Sequence, residues 1–107
     1  MGGGGIMERD WKAYSRMVPE LRERYLKEKN AEIVQILEVE DKSQTERFWD
    51  AQDKIEQERK ILEACLDPHS RSMMHTHLFL MYRSGMLKDA DLENFSEELR
   101  EQIQKYS

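Results

Sequence analysis

The sequence predicts an all-α fold, a small antiparallel helical bundle of four main helices, and three observations predict it. Apolar residues recur at steps of three and four along most of its 107 residues. No segment alternates apolar and polar residues between turn signals, as a half-buried strand would. The connections between periodic segments are only about three to six residues long, which favours antiparallel neighbours.

The first helix begins near Glu8, where Trp11, Tyr14, Val18, Leu21 and Tyr25 form a stripe that continues through Leu26, Ile33, Ile36 and Leu37. Pro19 lacks a backbone donor and disfavours helical geometry at Val18. The helix is therefore expected to be interrupted or kinked near Pro19, as a short segment followed by a helix with Pro19 in its first turn, or as a kink alone. Glu38 to Lys42 is polar, and Ser43-Gln44-Thr45-Glu46 has the pattern of a capping box, in which serine and glutamate satisfy each other's free backbone donors.

A second helix follows through Phe48, Ala51, Ile55, Leu62, Cys65 and Leu66, with Trp49 and Ile61 widening its apolar face, and Asp67-Pro68 stops it. Ser70 or Ser72 is placed to cap a third, and Gly85 to end it in the left-handed conformation. Asp89 is expected to cap a fourth helix with the stripe Leu92, Phe95, Leu99, Ile103 and Tyr106. Residues 1–7 read as a flexible Gly-rich leader and residues 8–107 as a single helical domain.

Charged residues make up 36% of the chain, and the net charge is −5. Glu8 to Lys29 nevertheless holds more basic than acidic residues, which leaves the remainder more acidic still. Within that basic segment Glu8, Asp10, Glu20 and Glu23 repel phosphate, so nucleic acid is not the expected partner, and Trp11 and Tyr14 read as core rather than stacking groups. A nucleic-acid-associated regulator working through Arg9 to Lys29 is a further alternative. No apolar run approaches the roughly 18 residues of a membrane span, and no membrane partner is expected. The single cysteine, Cys65, excludes an intramolecular disulfide and fits a reducing compartment, so the expected location is cytoplasmic.

Met73 to Leu87 is the only long apolar run. On a helix its side chains spread around most of the circumference, whereas a surface helix needs only one stripe. Met73, Met74, Leu78, Phe79, Met81 and Tyr82 are therefore expected to include an interaction surface, since a chain this short has few helices to cover them. The expected function is association, as a non-enzymatic module, regulator or adaptor. Its expected partner is a second copy, giving a homo-oligomer, or another protein. No catalytic residue and no cofactor are assigned.

Met74, His77 and Met81 share one helical face, near Cys65, His69 and His75 in sequence, a donor set suited to Cu(I). Methionines and an apolar-face histidine read instead as packing, and zinc spacing is absent because His75 and His77 point about 200° apart. Cys65 lies near His69 but reads as a small buried member of its stripe. Two acidic pairs carry the alternative chemistry. Glu20-Leu21-Arg22-Glu23 and Asp50-Ala51-Gln52-Asp53 resemble the paired acidic pattern of the all-α nucleotide pyrophosphatases, with Asp in the second motif where that family has Glu. The resemblance covers these eight positions. It implies a hydrolase in which Glu20, Glu23, Asp50 and Asp53 hold Mg²⁺ beneath a nucleotide. Without convergence these carboxylates are a solvated face.

Overall fold

A computed structural model describes residues 8–105, and every regular element among them is helical. These are α1 (Glu8–Leu37), α2 (Gln44–Leu66), α3 (Met74–Ser84) and α4 (Glu97–Lys105), with 3-10 turns at Arg71–Met73 and Asp89–Asn94. The leader at residues 1–7 and Tyr106 lie outside the described residues.

α1 is a single helix of 30 residues that runs on through Pro19, so no separate first segment forms. A proline inside a helix costs about 3 kcal/mol. Tyr14, Met17, Val18 and Leu21 on either side of it are all buried, and each such side chain contributes about 1.5–3 kcal/mol, so burial outweighs the break. Pro19 itself is exposed, which leaves the unpaired carbonyl one turn earlier accessible to water.

α2 starts at the expected capping box: Glu46 N–H donates to Ser43 Oγ at 3.1 Å and Ser43 N–H to Glu46 Oε1 at 3.0 Å. It ends at Asp67, and the Asp67–Pro68 bond is cis. Gly85 ends α3 with φ 87°, in the left-handed region where a side chain is strained. Immediately after it, Leu87 N–H donates to the Met81 carbonyl at 3.0 Å, which folds Met86 and Leu87 back into the core.

The fourth helix is shorter than the stripe implies. Asp89 opens a 3-10 turn, Phe95 is extended, and α4 begins only at Glu97. The reason lies in α1. Asp10 accepts hydrogen bonds at 2.7 Å from both the backbone N–H and the hydroxyl of Ser96, whose Oγ accepts in turn from Leu99 N–H at 3.3 Å. This start of α4 is therefore fixed by a carboxylate 86 positions earlier. Arg24 anchors the 3-10 turn in a similar way, donating to both oxygens of Asp91 at 3.1 and 2.6 Å and to the Met86 carbonyl at 2.9 Å.

The core unites the first two-thirds of α1 and the end of α2 with α3, α4 and the segment between them. It occupies only part of the length. The molecule measures 61 × 24 × 23 Å with a radius of gyration of 16.8 Å, against about 13 Å for a rounded chain of this size. What extends it is the far half of the α1–α2 hairpin. The Tyr25 hydroxyl donates to Glu58, and Lys54 bridges Glu32 at 2.8 Å and Glu58 at 3.1 Å, which fixes the antiparallel register. Of the named ties between α1 and the segments that follow α2, the farthest along α1 is the ion pair of Glu28 with Lys88 at 3.7 Å.

Candidate functional site

The chain's own helices cover most of the apolar circumference of α3. Met74, Leu78 and Met81 are 0% exposed, and Met73, Phe79 and Tyr82 are partly buried, with the Tyr82 hydroxyl donating to Asp89. The expectation that a short chain would leave this helix uncovered is corrected by Met86 and Leu87, which fold back beneath it, and by α2, which packs along it. What α3 offers outward is an edge rather than a face.

His77 is fully buried, with Nδ1 3.4 Å from the Tyr14 hydroxyl. Burial lowers its pKa, an effect partly opposed by the Asp67 backbone and carboxylate. Burial also pushes the Tyr14 hydroxyl up to about 12, and raises the Cys65 thiol against the opposing hydrogen bond from Ser84. These groups are neutral packing elements at neutral pH. Among the described residues no group of three or more His, Cys, Asp or Glu side chains is placed to hold a metal ion.

The acidic pairs do not converge. The contacts of Tyr25 with Glu58 and of Glu32 with Lys54 set Glu23 opposite the region of Ile61, and Asp53 opposite the region of Glu32. Even the nearer members, Glu23 and Asp53, are thus separated by roughly 12 Å along the hairpin. Asp50 is instead paired with Lys42 at 2.7 Å, and Glu20, Glu23 and Asp53 are exposed. Trp11 and Tyr14 pack against each other and against the His69 ring, with the Arg71 guanidinium over Trp11.

The large apolar side chains left open lie elsewhere. Val34, Leu37, Phe48, Trp49 and Ile55 are 45–60% exposed, and all five sit on the far half of the hairpin. Phe48 and Trp49 meet edge to face with ring centroids 5.0 Å apart. By helix geometry, Pro19, Leu26, Ile33 and Leu37 fall within about 40° of one another on α1, as do Leu62, Ile55 and Phe48 on α2. The two rows flank the same face of the hairpin. At its inner end this face is a groove of about 480 Å³, lined by Ser15, Val18, Pro19 and Arg22 of α1, by Arg59, Leu62, Glu63 and Leu66 of α2, and by Asp67 and His69. α3 lies on the opposite side, beside Ile61, Ala64 and Cys65.

Toward the tip this face carries no charge. Asn30, Ile33, Val34 and Leu37 on α1 and Gln44, Phe48, Gln52 and Ile55 on α2 line it, although 36% of the chain is charged. Of the charges between the two helices, Lys29 and Lys54 both meet Glu32, and Lys54 also meets Glu58. Sequence periodicity did find Leu37, Phe48, Trp49 and Ile55, but it placed them in a covered stripe. The missed signal is angular: Phe48 and Trp49 are about 100° apart and cannot both face one neighbouring helix.

Among the described residues no helix is long and apolar enough to cross a membrane. Compared with known proteins, the chain matches no family model, and no curated protein or solved structure matches it significantly.

Proposed function

We propose that this protein is a helical association module, a small non-enzymatic regulator or adaptor, and that it works through the far half of the α1–α2 hairpin. The observation that carries this reading is the far half of the hairpin, where the uncharged row of Ile33, Leu37, Phe48 and Ile55 is flanked by Val34 and Trp49 and five large apolar side chains are about half exposed. Their open area, with the partly buried Leu26, Ile33 and Leu62 beside them, is on the order of 500 Å², near the upper end of what a solitary soluble protein carries. Phe48 and Trp49 add what interface centres favour, large rigid rings that lose little conformational freedom when covered.

Photo-crosslinking inside the cells that express the protein tests the reading. A benzoylphenylalanine at Trp49 should yield protein adducts, to another chain or to a second copy, and Phe48→Asp should abolish them. Adducts no more abundant than from the same group at Glu101, an exposed position on α4, would overturn the assignment of this surface.

A further inference from the structure

We infer that the partner of this face is a second copy of the chain, whose hairpin packs antiparallel across it to complete a four-helix bundle. The inference rests on the association reading above and names its occupant. Each copy carries a net charge of −5, so two copies repel in general, and an uncharged patch lets them meet without adding to that repulsion. The far half of the hairpin supplies that patch with Asn30, Ile33 and Leu37 on one helix and Phe48, Gln52 and Ile55 on the other. A strongly acidic or basic partner would find no counter-charge there. Its ions would lose water without gaining a pair.

The shape of the face leads to the same occupant. Two helices side by side, apolar along one open face, are half of an antiparallel four-helix bundle, and a two-fold axis through the middle of the patch brings the missing half. Leu26, Asn30, Ile33 and Leu37 follow the alternating four- and three-residue steps of a coiled-coil seam, with one amide among aliphatic residues. A single amide in such a seam selects register and copy number, because any slip buries it without a partner. The area also suits a pair. The open apolar area, on the order of 500 Å² with the flanking side chains included, is more than half of the roughly 800 Å² per partner of a standard stable interface.

Sedimentation of the purified full chain tests the pairing. Wild type should pass from monomer to dimer as its concentration rises through the micromolar range. Phe48→Asp or Ile55→Asp should weaken the dimer by roughly 30-fold or more, the effect expected of a hot-spot residue, while the helical circular dichroism of the monomer is retained. Because the paired faces are uncharged, dimerisation should persist between about 0.1 M and about 1 M salt. Orientation is read separately. With Cys65 replaced by serine, Gln52→Cys lies close to the proposed two-fold axis and should form a disulfide-linked dimer on mild oxidation, whereas Glu101→Cys should not.

A dimer indifferent to Phe48→Asp, or one dispersed by salt, would overturn the inference. So would a wild-type chain that stays monomeric throughout. If that monomer still gave adducts to a different protein from position 49 in cells, the self-pairing alone would fall and the association reading would stand. A monomer with no adducts would overturn both.

Discussion

The two halves of the α1–α2 hairpin have similar helical apolar spacing but opposite fates. In the inner half, Tyr14 and Leu21 of α1 and Cys65 of α2 are buried because α3, α4 and the turns between them return to cover them. In the outer half, Val34, Leu37, Phe48 and Ile55 meet no third helix and stay about half exposed. Periodicity shows which face of a helix avoids water. What covers that face depends on where the rest of the chain ends up.

The same charge placed in each half should have very unequal effects. Leu78→Asp puts a carboxylate at a fully buried position without a counter-charge, at a cost of several kcal/mol, against a total stability of about 5–15 kcal/mol for a domain of ordinary stability. It should abolish cooperative thermal unfolding followed by circular dichroism. Phe48→Asp, measured at concentrations too low for association, should stay within about 0.5 kcal/mol of wild type because it alters an exposed site. Equal damage by both would mean that the outer half is covered within the monomer.

A smaller effect is expected at the tie that closes the inner half. Asp10→Ala removes the acceptor for both the Ser96 N–H and the Ser96 hydroxyl at the start of α4. The loss should be about 1–3 kcal/mol, read from chemical denaturation. Amide exchange should quicken most in α4, while the amides of Asn30 to Ile55 remain near their wild-type rates.

The pH dependence of the inner half should be smaller again and carries a definite sign. Burial holds the His77 pKa below its ordinary 6.5, so below that pH the unfolded chain takes up a proton that the folded chain resists. This part of the stability is complete above 6.5 and is lost as pH falls from 6.5 toward the lower folded value. The lowered carboxyls, Glu32 through Lys54 and Asp91 through Arg24 despite its burial, act in a more acidic range, below their ordinary values of 4.5 and 3.8. Melting temperatures should therefore already fall between neutral pH and about 5. His77→Gln should flatten that limb, and an unchanged slope would remove His77 as its source.

A small and local loss is expected at the cap of α2 in the outer half. Ser43→Ala removes the side chain that caps α2 and accepts from Glu46 N–H, worth about 1 kcal/mol. Because Ser43 stands far from the core, faster exchange should be confined to the first turns of α2 and the end of α1.

Much of the architecture was legible locally. The Ser43 box, the stop at Asp67 and the left-handed Gly85 each depend on chemistry within a few residues, and each occurs where the spacing put it. Pro19 shows where local rules stop: burial on both sides of it keeps α1 continuous. The site was less legible. The apolar run of α3 reads as a surface only while its neighbours are unknown, whereas Phe48 and Ile55 read as core on the same spacing.

By itself the sequence determined four helical segments, most of their ends and the face of each that avoids water, because backbone hydrogen bonds and caps act over one or two turns. Tertiary structure alone decided which faces are satisfied. Asp10 sets the start of α4 from 86 positions away and Arg24 ties the 3-10 turn from 67, and together these ties hold the later segments over the inner half of the hairpin. The chain returns there and goes no farther. The outer half therefore keeps an apolar, uncharged face open to water, because burial depends on where distant segments come to rest.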